Sequence, residues 1–371
     1  MFGNIWNFVK RHRRKFLYTG VVVGGLAVLG RYAKKKLLEY QETEAEECLT
    51  HARKQHHFDS NQRTCNMTVL SMLPNLRQTL MVLLSTEELT AELKNKPANK
   101  LEIWEKLKIL SFTRTILAVY SSCLLTVFLR VQLNIIGGYM YLDSLLDQNG
   151  GTSEPYRAQP DVQQRYLAMI QYFLERGIPD IEEVIKTAVC NRLKNISLKH
   201  QMSLSDIQNL LSTVRRDVEG VSCNQTVGST RSHLIQYLLH DHDELDQACN
   251  LSSTEIMLQQ LKYETRDMLE SSDFLCVLNG CLDTAFVRLV DYLAGYFRPL
   301  ETDGTETMIN PCSLSMPLAK IIPIMNGLIH TVLADAPNAF VQELLLKEQV
   351  KTFAANVYEA FSELPNQNTP S

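Results

Sequence analysis

The chain has 371 residues, of which 45% are apolar and 21% charged, and its formal net charge is −4. That composition supports a packed core and excludes disorder over the bulk of the chain. The balanced charge, with no dominant basic face, argues against a nucleic-acid binder. Nine cysteines, odd in number and without CxxC spacing, argue against a disulfide framework or a zinc site.

The amino end carries the loudest local signal. Residues 10–15 read KRHRRK, residues 16–30 are free of charge, and Arg31 and Lys34 to Lys36 follow. Extended to Ala33, the apolar run has about 18 residues, or ~27 Å of helix at about 1.5 Å per residue, which is the lower end for a membrane span. Arg31 and Lys34 can snorkel to lengthen it. The pattern predicts an uncleaved anchor over 16–33. Both flanks are basic, so the positive-inside rule leaves the orientation open. Gly20 and Gly24 form a GxxxG, which is weak by itself.

Beyond the anchor, residues 34–57 read as a solvated helical stalk with an acidic run followed by basic residues. Apolar spacing predicts a helix over 61–85. Ser85 with Glu88 predicts a capping box for a helix ending near Pro97, and Asn99 with Glu102 opens a long helix from Lys100 to about Leu146. Inside it, residues 115–129 lie between Arg114 and Arg130 without a charge. Two readings stand: a core helix covered on every face, which the interspersed Thr, Ser and Tyr favour, or a second membrane span. Further helices are expected from Asp161 to about Arg176, from Pro179, from Ser203 with Asp206, after Ser253 to about Glu270, and from Asp273 to about Phe297. The last two are expected at 315–333 and 337–361. Alternation with hairpin turns is absent, so strands are expected to be few or none. Loops are expected at 147–160, 220–250 and 300–314. The expected fold class is all-α: an N-terminal transmembrane helix and a large twisted helical bundle. The expected divisions are 1–15 (basic targeting segment), 16–33 (anchor), 34–57 (stalk) and 58–371 (bundle).

No phosphate loop, dinucleotide fingerprint, HExxH or nucleophile elbow occurs. The run His240, Asp241, His242, Asp243, Glu244 is the best metal candidate, yet a solvated acidic loop produces the same letters. No metal site, cofactor or catalytic residue is assigned. A core and an anchor without catalytic residues point to a binding protein.

Several long segments carry a resemblance. WNFVKRHRRK before the apolar span, FDSNQRTCNMTVLSMLP at 58–74, NKLEIWEKLKILSFTR at 99–114, RVQLNIIGGYMYLD at 130–143 and EQVKTFAANVYEAFS at 348–362 resemble the peroxin-3 family, in the family's order and over nearly the whole chain. The three expected loops do not match clearly. The resemblance implies a peroxisomal membrane receptor with its bulk in the cytosol. Its implied partner is peroxisomal biogenesis factor 19, a soluble chaperone and import receptor, whose N-terminal amphipathic helix lies in an apolar groove. It also implies contact with peroxisomal membrane lipid and leaves room for other membrane-biogenesis partners. Lys10, Arg11, Arg13, Arg14 and Lys15 fall in the part that serves the family as a targeting signal. By resemblance, Leu93, Lys100, Trp104, Leu107 and Lys320 are groove residues, and Thr90, Lys94 and Met140 extend the set. The residues themselves fit: helical spacing puts Lys100, Trp104 and Leu107 on one face, and Trp is a common anchor at hot spots. The rival reading is a lipid-binding or membrane-remodelling tether whose groove takes acyl chains.

Overall fold

The computed structural model describes residues 13–148, 159–220, 234–239, 252–297 and 314–363, with side chains from 31 onward except those of 33, 147 and 148. Two units divide the chain, Met1–Asp59 and Ser60–Ser371. The expected stalk and the following helix form one continuous helix, α1 (Arg13–Leu83), with Pro74 inside it. The anchor segment 16–33 is helical in its backbone; Lys10 and Arg11 lie outside the described residues. Side chains 34–53 are solvated, with local support from a Lys35–Glu39 ion pair at 3.8 Å. In the second unit, Cys65, Val69, Leu73, Leu76, Leu80 and Leu84 recur every three or four positions and are buried, giving α1 one apolar ridge.

The bundle is organised by α3 (Lys100–Gln148), whose residues 111–139 are buried without interruption. By length and composition it could cross a membrane, but its most apolar stretch lies wholly inside the protein. Residues 115–129 are therefore a core helix. The reason is visible in its polar residues. Arg130 donates to Gln62 and, at 2.5 Å, to Asn66 of α1, while Asn134 accepts from Asn61 at 3.0 Å and Gln62 at 2.6 Å. Gln132 donates to the Tyr166 carbonyl at 2.6 Å, and Thr115 to that of Met325. Buried polar groups must be satisfied, and here neighbouring helices satisfy them.

Around α3 pack α4 (Pro160–Leu167), α5 (Ile170–Tyr172), a π turn (Phe173–Gly177) leading into α6 (Ile178–Leu193), α7 (Leu204–Val218), α8 (Ser253–Glu270), α9 (Ser272–Ala294), α10 (Leu318–Gly327), α11 (Ile329–Val332), α12 (Ala339–Leu346) and α13 (Glu348–Phe361). The all-α expectation holds, with one small exception: β1 (Gln201–Ser203) pairs antiparallel with β2 (Ser315–Pro317). The Ser203–Asp206 capping box forms, with the Asp206 amide donating to Ser203 Oγ at 3.2 Å and the Ser203 amide to Asp206 Oδ2 at 2.8 Å. Several boundaries differ from expectation, among them that of the expected helix 315–333, which opens as β2 and divides at Leu328 into α10 and α11. The expected helix 161–176 breaks after Leu167 into α4, α5 and the π turn. There Gly177 meets the Tyr237 carbonyl so closely that an added Cβ would lie 2.0 Å from its oxygen. The expected helix 337–361 starts at Ala339 and is interrupted at Lys347, which ends α12 and precedes α13. The Ser85–Glu88 capping box does not form. The helix instead runs Glu87–Lys94 (α2) behind Thr86, whose hydroxyl is engaged elsewhere.

Of the expected loops, 149–158, 221–233, 240–251 and 298–313 lie outside the described residues, and so does the run His240 to Glu244.

Candidate docking site at the start of the core helix

The first turns of α3 are where the core helix reaches the surface. Ile103 is 1% and Leu107 4% exposed, whereas Trp104 is only partly buried, its indole packed against the edge of the core. Lys100 is exposed, and Leu101, at 70%, is among the most exposed apolar side chains described. Opposite stands α2, an eight-residue helix with no buried residue, whose Leu89 and Leu93 are partly covered and whose Thr90 and Lys94 are exposed. Its end turns at Lys96, held at φ 50, and Pro97. Val82, at the end of α1, is a further exposed apolar side chain at 70%.

Lys320, exposed on α10, belongs to the same end of the bundle. The 196–200 turn links the two helices: Lys108 Nζ donates to the Ile196 carbonyl at 2.9 Å, and the Leu318 and Ala319 amides donate to His200 and Leu198 carbonyls at 2.9 Å. Farther along, Thr115 meets Met325, so α10 runs alongside α3 in the same direction.

Two expected residues fall elsewhere. Leu107 is buried in the core cluster on which the indole packs, with almost no surface left for a partner. Met140 is 44% exposed, but it stands thirty-six positions from Trp104 on one helix, or ~54 Å at about 1.5 Å per residue. It is not part of the corner around Trp104.

α2 is fixed by a polar knot. Arg114, fully buried on α3, donates from both terminal nitrogens to Glu87 Oε1 at 2.9 Å, and also to Thr86 Oγ1 at 2.5 Å and Asn326 Oδ1 at 3.2 Å. The Thr86 hydroxyl donates to Asn326 Oδ1 at 2.9 Å, and the Thr86 amide to Glu87 Oε2 at 3.0 Å. Partial burial pushes the Glu87 carboxyl up, but the Arg114 hydrogen bonds and charge, with backbone N–H donors, outweigh it and hold it below the usual glutamate value. Sequence reasoning did not find this knot; the one available signal was Arg114 itself, a charge bordering an apolar run.

A separate cleft of about 430 Å³ opens between α3 and α6, lined by Glu102, Glu105, Lys106, Ile109, Leu110, Lys186 and Lys194. At about 100° per residue these α3 positions lie on the side away from Trp104. Its carboxylates are committed: Glu102 to Lys106 at 2.9 Å, and Glu105 to buried Lys108 at 2.5 Å. No cluster of three or more metal-ligating side chains occurs among the described residues.

The peroxin-3 family model matches residues 7–102 and 94–360. The chain belongs to the peroxin-3 family. Peroxisomal biogenesis factor 3 of Rattus norvegicus is 54% identical over 367 residues, and that of Homo sapiens 53% over 368, with 98% of both chains covered in each case. Peroxisome biogenesis protein 3-2 of Arabidopsis thaliana is 26% identical over 375 residues, covering 95% of this chain and 97% of its own. Membership of the peroxin-3 family assigns the chain a part in peroxisome biogenesis as a peroxisome-associated membrane protein. The family is one of biogenesis factors, not of enzymes.

Proposed function

We propose that the chain is a docking receptor at the peroxisomal membrane for peroxisomal biogenesis factor 19, with residues 16–33 as anchor and the bundle facing the cytosol. The observation that carries this reading is the indole of Trp104. It is only partly covered in the first turns of the core helix, and exposed Lys94 and Lys100 belong to the same corner. An amphipathic helix would set apolar side chains against Trp104, Leu93 and Leu89, and place acidic flanks toward Lys94, Lys100 and Lys320. Thr90 lies on the exposed side of α2, within that contact. Leu107 acts as part of the core cluster that supports the indole, and Met140 takes no part. Arg13, Arg14 and Lys15, with Lys10 and Arg11, retain the targeting role in this reading.

The test uses the full chain in lipid nanodiscs, titrated with the partner's N-terminal helical segment by calorimetry. Saturable one-to-one binding that weakens with added salt is expected. Absence of heat and of any competition with the intact partner would remove the receptor reading. Protease digestion of intact peroxisomes checks orientation: loss of residues 60–371 from the outside is expected.

A further inference from the structure

α2 stands apart from the rest of the bundle in how it is held. It has eight residues, none of them buried, whereas an isolated helix needs about 12–15 residues to persist in water. Leu89 and Leu93 touch the core only in part. The N-cap residue Thr86 gives its hydroxyl to Asn326 and accepts from Arg114, so it makes no side-chain cap for its own helix. Packing and capping are both weak, and the firm attachment is the Arg114 guanidinium.

That guanidinium is an odd choice for a core position. Burying a cation costs several kcal/mol of order, and an apolar residue of similar volume often serves stability as well or better. What Arg114 provides that a Leu or Met cannot is direction. Its fork reaches two elements at once: α2, through Glu87 at its head and its N-cap Thr86, and α10, through Asn326. These are the elements that, with α3 itself, carry Thr90, Leu93, Lys94, Lys100, Trp104 and Lys320.

We infer that Arg114 is a positioning residue for docking: through Glu87 it latches α2 against α3 and α10, so that the groove wall stands in place before a partner arrives. The inference rests on the docking reading above. Its physical basis is preorganisation. If the wall is formed only a fraction of the time, the apparent dissociation constant rises by the inverse of that fraction. Glu87 is half exposed, with its side chain 52% accessible, so solvent weakens the latch enough for it to matter locally without governing the whole fold.

The experiment uses the full chain in nanodiscs, with the partner's N-terminal helical segment as probe, and compares Glu87→Ala and Arg114→Lys with the parent protein. Three quantities are read: the dissociation constant, amide hydrogen exchange over residues 86–96, and the thermal midpoint of the bundle. For Glu87→Ala, binding about fivefold to tenfold weaker is expected, with faster exchange confined to α2. Bound probe should restore protection there, and the midpoint should fall by only a few degrees, because the buried Arg114 loses its carboxylate but keeps Thr86 and Asn326. Arg114→Lys keeps the charge but loses the fork and should fall between the two. Unchanged exchange in α2 would show that the latch does not hold it, and faster exchange with unchanged affinity would show that its order is irrelevant to docking. Either result overturns the proposal. Should Glu87→Ala fold poorly, Glu87→Gln reads the same quantities. Trp104→Ala separates the two levels: if it leaves affinity intact, the docking surface itself is wrong; if it weakens binding while Glu87→Ala does not, only the latch is wrong.

Discussion

Replacing Trp104 with alanine is the most direct test of the groove. Aromatic side chains bury about 150–250 Å² when fully covered. Most of this indole already packs on the core edge, which leaves on the order of 50–100 Å² for a partner, or about 1.3–2.5 kcal/mol at ~25 cal/mol per Å². Truncation also opens a hole under the partner's apolar side chains, which raises the expected loss to about 2–3 kcal/mol, roughly 30- to 150-fold in dissociation constant. The same truncation strips contacts from the core cluster on which the indole packs. In a domain of this size, a loss of about 1 kcal/mol lowers the midpoint by roughly 2–4 °C, so a visible but survivable shift accompanies it. Calorimetry with the partner segment reads the first effect and thermal denaturation the second. A folded Trp104→Ala protein with parental affinity would refute the reasoning. Trp104→Phe should recover part of the loss.

Lys320→Glu should act mainly on association: its side chain is exposed at the rim, so stopped-flow rates should fall several-fold at low salt and converge with the parent at high salt. Gly138→Ala should destabilise the bundle by about 1–3 kcal/mol, measured by urea titration, because the new Cβ would meet the Phe361 backbone carbon at 2.6 Å. Thiol labelling at neutral pH, mapped by mass spectrometry, should mark Cys48, Cys190 and Cys276 quickly. Cys65 and Cys281 should label only on unfolding. Burial pushes their thiols up, to about 11 and about 12 despite nearby cations, so little thiolate exists to react.

Much of the fold was legible because its determinants are local. Ser203 with Asp206 announces a helix start through a hydrogen bond three residues long, and the Cys65 to Leu84 ridge announces its buried face by spacing alone. Where a competing partner lies far away in sequence, local rules lose. Thr86, not Ser85, precedes α2, and its hydroxyl goes to Asn326, 240 positions away, and accepts from Arg114. The close approach of Gly177 to the Tyr237 carbonyl, at the end of the π turn, is likewise a tertiary contact that local spacing does not announce.

The docking corner divides along the same line. Trp104, Lys100 and Leu93 could be grouped by helical spacing and one turn, which the chain itself encodes. Leu107 shares that spacing yet is sealed beneath its neighbours, and Met140 shares the helix yet lies at its opposite end. Sequence alone determined that a long apolar helix runs from Lys100 to about Leu146, since hydrophobic spacing and caps act within a few residues. Only the tertiary structure decided that this helix is wrapped by protein rather than crossing lipid, and that Arg114 faces α2 and α10. Burial and polar pairing depend on which distant segments come to lie alongside.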